Sequence, residues 1–272
     1  MSDIVIIPVG ESTPILPSSP AFAHGFGLFE TMCFADERIY FWRDHWARLC
    51  KSAKYFALLP PKEASVLAAL REYVTESGLE EATLKLSLMR ESEGSRLYVY
   101  SRPPIPSPDN RRLRLERSYP LFAGSALAGH KTHNYMEAMH LLSLARAQGD
   151  YDLVRVDSEG FLAETTSSNL FFVKEGRIHT PSLDTGILPG ITRAALLRCQ
   201  DFAVVEGRYL PEALLGAEAV FVTNATKGLL PIERIEGFSG GESADFRTDG
   251  PFLRSIEAAY AHMRTACSKQ LI

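Results

Sequence analysis

No stretch of this chain approaches the roughly 20 consecutive apolar residues that a membrane-spanning helix needs, so a bilayer span is not expected. Cysteine is scarce: the four residues, Cys33, Cys50, Cys199 and Cys267, are widely spaced and form no C-x-x-C pair. That argues against a disulfide framework or a zinc ribbon and leaves reduced thiols packed as small hydrophobes. An excess of positive charge is missing too. Lys and Arg number 29 against 33 Asp and Glu, for a net charge of −4, which offers no general field to nucleic acid or an anionic membrane. Any anion bound here must be held by a local site. The opening "MSDIVIIPVGESTP" has an early acid, a short apolar run and no basic flank, so no secretory leader is expected and the protein should be soluble and cytoplasmic. Internal repeats and low-complexity tracts are likewise absent. What is present is a globular composition, 46% hydrophobic and 23% charged, with enough apolar surface to offset the ordering entropy of the chain.

At 272 residues the chain suits two modest domains. The class expected is α+β: a small N-terminal domain over 1–120, a linker over 121–129 rich in turn formers and small residues, and a large domain over 130–272. In the first part, "SDIVIIPVG" and "GLFETMCFADERIYFW" read as strands, the second folded back at Ala35-Asp36-Glu37. Asp44 is placed to cap a helix whose Trp46, Leu49, Ala53 and Phe56 recur at helical spacing. A second helix is expected over "PKEASVLAALREYVTESG", and "ATLKLSLMR" and "SRLYVYSR" alternate as half-buried strands. The arginine-rich "NRRLRLERS" also alternates, so it reads as a strand with one wet face rather than a nucleic-acid patch. Beyond the linker, Asn134 and Glu137 have capping-box spacing before a helix with Tyr135, Ala138, Met139, Leu142 and Ala145 on one stripe. Short strands follow. The loop "PSLDTGILPG" then runs into the helix "ITRAALLRCQ", "AEAVFVTNATKGLLPI" reads as strand, turn and strand, and "PFLRSIEAAYAHMRTACSK" closes the chain as a helix.

Several residues carry possible chemistry. In "LPGITR" a glycine leads into a helix, where the N–H groups of Ile191 and Thr192 and the Thr192 hydroxyl can hold an anion; a plain turn gives the same letters. Glu164, at a strand end before four small hydroxyl residues, can support a protonated heterocyclic nitrogen or simply face water. Arg48 follows His45 by three places, so both share a helix face, and its fork suits an anion as well as solvent. Lys131, in "HKTHNY", is either a solvated charge or an amine able to form a Schiff base with an aldehyde. His130, His133 and His140 invite a metal reading, but a catalytic zinc usually needs a third protein ligand beside the His130–His133 pair, and no metal is expected.

The joint order of these pieces resembles the class IV aminotransferase family, the fold type IV pyridoxal-phosphate enzymes. The likeness runs through "GFGLFET", "HWARL", "HKTHNY", "AETTSSNLFFVKEGRIHTPSLDTGILPGITR" and "VTNATKGLLPI". It implies a small N-terminal α/β domain, a larger domain with a β-barrel-like core, and a homodimer. By the same resemblance, Lys131 holds pyridoxal 5′-phosphate as a Schiff base and is the catalytic residue. Glu164 is the partner of the pyridine nitrogen. Arg48, Gly190, Ile191 and Thr192 hold the phosphate, Leu188 lines the ring, and Asn224 and Ala225 lie in the cofactor site. Tyr135 resembles a tyrosine that bonds the cofactor's phenolic oxygen in branched-chain enzymes, four places after the lysine here where those have five.

The resemblance admits more than one reaction. The Asn-Ala pair at 224–225 is similar to the lyase branch, which releases pyruvate and 4-aminobenzoate from 4-amino-4-deoxychorismate for folate synthesis, and "KTHN" is similar to lyase and D-amino-acid enzymes more than to branched-chain ones. "HGFG" departs from that branch, with Phe26 between Gly25 and Gly27 and His24 in place of an aromatic residue. Transamination of branched-chain or D-amino acids is the alternative, and a non-catalytic cofactor-binding module the more distant one. In each case the expected partner is a small amino-acid-like or aminodeoxychorismate substrate.

Overall fold

Apolar residues at every second position draw the strands of the first third of the chain into one sheet. These are β1 (Ile4–Ile6), β2 (Gly27–Ala35), β3 (Arg38–Tyr40), β4 (Ala82–Arg90) and β5 (Ser95–Arg102). The computed structural model describes residues 3–14 and 16–272; the strand expected from Ser2 is β1, and Ser2 itself lies outside the described residues. The sheet order is β1, β5, β4, β2, β3 and then the C-terminal strand Ser268–Gln270. The β2–β3 hairpin turns where expected: Asp36 and Glu37 both take positive φ, 51° and 57°, the pair that matches the strands' right-handed twist.

Three helices accompany these strands: α1 (Pro20–His24), α2 (Trp42–Tyr55) and α3 (Glu63–Glu76). Leu28, Met32 and Phe34 of β2 and Leu84, Leu86 and Leu88 of β4 share one face. There they form a single core with Leu49 and Ala53 of α2 and Val66 and Leu70 of α3. Asp44 does not cap α2. The helix begins at Trp42 behind Phe41, which has φ 55° and makes no side-chain cap bond; burial of the Phe41 ring, 2% exposed, outweighs the capping preference.

The remaining elements are β6 (Arg112–Leu121), α4 (Met136–Ala147), β7 (Asp152–Asp157), β8 (Leu162–Thr165), β9 (Asn169–Lys174), β10 (Arg177–Pro181), α5 (Ile191–Arg198), β11 (Val204–Gly207), β12 (Ala219–Asn224), β13 (Gly228–Ile232), β14 (Arg234–Glu236), β15 (Ser243–Asp245) and α6 (Pro251–Ala266). Ten strands form one sheet, ordered β11, β10, β9, β8, β7, β6, β14, β15, with β12 paired to both β9 and β13. Alternate residues such as Leu113 and Leu115, Val154 and Val156, Leu170 and Phe172, and Val220 and Val222 meet in one cluster with Leu162, Leu230, Ile232, Ile235 and Ala244. Eight strands and no α-helix supply that interior, as a barrel-like sheet requires.

The chain divides into two units, but not at 121–129. One unit takes the residues up to Ile105, His130–Tyr135 and Arg264–Ile272; the other takes Pro106–Gly129 and Met136–Met263. Backbone pairing explains the difference. β6 runs parallel to β7 and β14 in the second unit, whereas Phe29 N–H donates to Lys131 O and His133 N–H to Gly27 O, both at 2.9 Å. The arginines of "NRRLRLERS" lie along β6 and before it, and each meets a carboxylate: Arg111 meets Glu233, Arg112 and Arg114 meet Asp150, and Arg117 meets Glu212. The capping box does not form. α4 starts at Met136, Asn134 donates to Gly25 O, and Glu137 pairs with Arg155. The buried stripe of α4 is Leu141 and Ala145 against Leu153, while Met139 is exposed.

Candidate active site

Lys131 sits in an extended segment that anneals to the free edge of β2, where Leu28 bridges Thr132. Alternation then turns Lys131 and His133 to the side that carries Phe29. The Lys131 Nζ lies 4.5 Å from the Phe29 ring centroid and 5.5 Å from that of Tyr135, and Tyr135 stands edge-on to Phe29. The lysine and the tyrosine named from sequence are thus neighbours. His130 points elsewhere: its Nδ1 meets Ser52 Oγ at 2.9 Å and its ring stacks on Tyr55. His130 and His133 do not converge, and no group of three or more metal-ligating side chains occurs among the described residues.

Arg48, on the same unit, leaves α2 toward the covered face of the sheet, where it meets a carboxylate. Nε donates to Glu30 Oε1 at 2.8 Å and Nη2 to Glu30 Oε2 at 2.7 Å, while His45 Nδ1 lies 2.6 Å from Oε2. Burial alone would push the Glu30 carboxyl up, yet Arg48 and then His45 hold it at about 2. His45 is kept below its ordinary value by burial, against the pull of Glu30. The sequence reading did not single out Glu30. Its signal was available: alternation along β2 puts position 30 between Leu28 and Met32, on the apolar side.

In the other unit, Glu164, Leu188, Gly190, Ile191 and Thr192 form one connected arrangement. Asn169 Nδ2 donates to Glu164 Oε2 and to Leu188 O, both at 2.9 Å, and Leu188 N–H donates to Glu164 Oε1 at 3.1 Å. A β-carbon at Gly190 would lie 1.9 Å from Asn169 Oδ1, so only glycine fits beside that amide. Asn169, also missed in sequence, is the link between the carboxylate and the loop before α5. The four hydroxyl residues after Glu164 have a structural use as well. Buried Asp152 accepts from the hydroxyls of Thr165, Thr166 and Ser167 at 2.9, 2.6 and 2.9 Å and so fixes the turn that follows the strand.

Gly190 is the N-cap of α5 and supplies no side chain, leaving the first N–H groups without a side-chain cap. Thr192 Oγ1 is buried with no hydrogen-bond partner among the described residues, and so is Thr223 Oγ1 on β12, against which α5 packs. An orphaned buried hydroxyl costs about 1–3 kcal/mol. With bare helix N–H groups beside it, this donor set fits a phosphate. Asn224 is occupied otherwise: its Oδ1 accepts from Thr226 N–H, Thr226 Oγ1 and Lys227 N–H, and its Nδ2 donates to Ser168 Oγ. Its side chain closes the β12–β13 turn, which carries Ala225.

A barrel-like sheet with a carboxylate bonded to the loop that leads into a helix without a side-chain cap, and in the other unit a lysine held against aromatic rings, define a class of protein. The chain belongs to the class IV amino-transferase family, whose model matches residues 27–235; its members are pyridoxal-phosphate-dependent enzymes. Among its relatives, the branched-chain-amino-acid aminotransferase-like protein 2 of Arabidopsis thaliana is 26% identical over 256 residues, 87% of this chain and 45% of that protein. The aminodeoxychorismate lyase of Bacillus subtilis is 33% identical over 117 residues, 42% of this chain and 40% of the lyase. The chain therefore spans less than half the length of either relative. In fold it resembles a putative 4-amino-4-deoxychorismate lyase from Legionella pneumophila, with a TM-score of 0.86 at 23% identity over 96% of this chain and 100% of that one.

Proposed function

We propose that this chain is a pyridoxal-phosphate-dependent enzyme acting on a small primary amine, and that its reaction is the release of pyruvate and 4-aminobenzoate from 4-amino-4-deoxychorismate. The observation that carries the cofactor reading is the partnerless Thr192 hydroxyl at the uncapped start of α5, joined through Gly190, Asn169 and Leu188 to Glu164. When bound, pyridoxal phosphate would supply the electron sink that lets a bond at the amino-bearing carbon break. Lys131 would tether it, and as a released amine would take the proton from the amino-bearing carbon and give it to the departing enolpyruvyl group, which leaves as pyruvate as the ring becomes aromatic. Glu164 would keep the pyridine nitrogen protonated, its two oxygens aligned by Asn169 and the Leu188 amide. Thr192, the N–H groups of Ile191 and Thr192, and Arg48 would take the phosphate. Tyr135, next to Lys131, would orient the tethered ring, with Leu188 lining it and Asn224 and Ala225 bordering it.

The lyase reading is supported by the 33% identical segment shared with the Bacillus enzyme and by Asn224-Ala225, while "KTHN" favours a lyase or a D-amino-acid enzyme over a branched-chain one. Transamination is the second reading, favoured by the likeness to the Arabidopsis protein over 87% of the chain. Homodimer assembly, a place in folate synthesis and a cytoplasmic location belong to the same proposal; no helix among the described residues is long and apolar enough to cross a membrane. Assay of purified protein with aminodeoxychorismate, beside a panel of L- and D-amino acids with 2-oxo acids, tests it. Pyruvate formed without an amino acceptor supports the lyase. Turnover that needs an acceptor overturns it in favour of the transaminase, and the absence of any bound cofactor overturns both.

A further inference from the structure

His133 stands two residues beyond Lys131 on the same extended segment, so both side chains leave it on one side. Its ring lies 5.1 Å from the Phe29 ring that Lys131 Nζ approaches to 4.5 Å. The backbone makes room for the imidazole: a β-carbon at Gly27 would fall 2.9 Å from His133 Cδ2, so the ring lies over a residue without a side chain.

The two ring nitrogens differ. Nε2 is buried with no hydrogen-bond partner among the described residues, so the hydrogen bond between the ring and the Leu28 backbone is made by Nδ1. That bond favours the protonated ring, which makes Nδ1–H the donor and the Leu28 carbonyl the acceptor. In the neutral imidazole Nε2 then carries a lone pair and no hydrogen. Burial, then the Lys85 ammonium, holds the ring's pKa down to about 4, and Lys131 acts in the same direction. Nε2 therefore stays an acceptor through neutral pH, and leaving it unmatched is costly. Of the two lysines beside it, Lys85 is 8% exposed and rests between the rings of Phe29 and Tyr100, 4.3 and 5.9 Å from their centroids. Lys131, as the cofactor lysine, is the one whose amine is freed and bound again at each turnover.

We propose that His133 is a positioning residue for Lys131: once the lysine amine is released, one of its N–H groups donates to His133 Nε2, which fixes the direction of the amine's lone pair. This rests on Lys131 being the cofactor lysine. The proton taken from the amino-bearing carbon goes to Lys131, and His133 gains and loses none. Because an ammonium donates more strongly than an amine, the bond tightens as Lys131 takes that proton and offsets repulsion from Lys85.

The test uses protein loaded with pyridoxamine 5′-phosphate, which has no aldehyde to tie the lysine. Competitive acetylation across pH, with mass mapping, reads the protonation midpoints of Lys131 and Lys85 separately. His133→Phe keeps a ring and removes the acceptor. The Lys131 midpoint should then fall by about 1–2 pH units, the worth of a charge-assisted hydrogen bond, while that of Lys85 changes little. His133→Gln, whose amide oxygen accepts the same N–H, should restore most of the fall. A histidine that only packs would act in the opposite sense, since its loss would open the site and raise Lys131 toward the value of about 10.4 of an ordinary lysine. An unchanged or raised Lys131 midpoint in His133→Phe, or a fall at Lys85 instead, would overturn the proposal. Nitrogen-15 NMR of the wild type, which needs no variant to fold, should show a neutral His133 with its hydrogen on Nδ1 at pH 7; a hydrogen on Nε2 overturns it as well. Borohydride fixing pyridoxal phosphate to another lysine would count against Lys131 as the cofactor lysine, whereas the midpoints still decide whether His133 holds its amine.

Discussion

Arg48 engages Glu30 through two parallel hydrogen bonds, Nε to Oε1 and Nη2 to Oε2, at a carboxylate that is 1% exposed. The fork is therefore held in place before any ligand arrives.

Glu30→Gln should accordingly cost about 3–5 kcal/mol of stability, the penalty for breaking a buried pair, read as a lower urea midpoint. It should also weaken cofactor retention by loosening Arg48. Arg48 and His45 hold the carboxyl at about 2 in the fold against 4.5 for a free glutamate, so its contribution is present above pH 4.5 and is lost as pH falls through 2. The difference in midpoint between wild type and variant should shrink over that window, and a difference that stays constant contradicts the assignment.

Thr192→Val separates binding from folding. The wild-type hydroxyl is buried and unsatisfied, so without cofactor the variant should be as stable as the wild type or about 1 kcal/mol more so. Its affinity for pyridoxal phosphate should fall about tenfold or more. A loss of stability in the cofactor-free protein would show that the hydroxyl is structural.

Gly190→Ala forces a carbon into Asn169 Oδ1. The variant should lose stability by about 1–3 kcal/mol and free Glu164 from its amide partner. Because the clash is with one side chain, adding Asn169→Ala should recover part of the stability without recovering turnover. Additive losses in the double variant would place the strain elsewhere.

Burial holds His133 at about 4, below the 6.5 of a free histidine. The unfolded chain then takes a proton that the folded one refuses, so stability is full above pH 6.5 and falls as pH drops toward 4, by at most about 3 kcal/mol for this group. His133→Asn should flatten that part of the profile in urea unfolding at pH 7.5 and 4.5. An unchanged slope rules the effect out.

Much of this was legible in the sequence. Alternation gave β2, β4 and β6, helical spacing gave α2 and α3, and the order of Arg48, Lys131, Glu164 and "LPGITR" gave the family. What was not legible is set by long-range contacts. Asn134 looked like a cap but bonds Gly25, because its segment is drawn onto β2. Asp44 yielded to Phe41 because burial of a ring outranks a local cap. Glu30 and Asn169 are unremarkable letters until register places one under α2 and the other against Gly190, and Lys85 reads as the wet side of a strand until its face is found to be covered.

The central claim is that Lys131 is the cofactor lysine. Its most direct measurement is borohydride reduction of the purified, pyridoxal-phosphate-loaded protein, followed by proteolysis and mass mapping of the phosphopyridoxyl group. The label should fall on the peptide containing Lys131 and be lost in Lys131→Ala. Label on Lys85 or another lysine, or none at all, would contradict it.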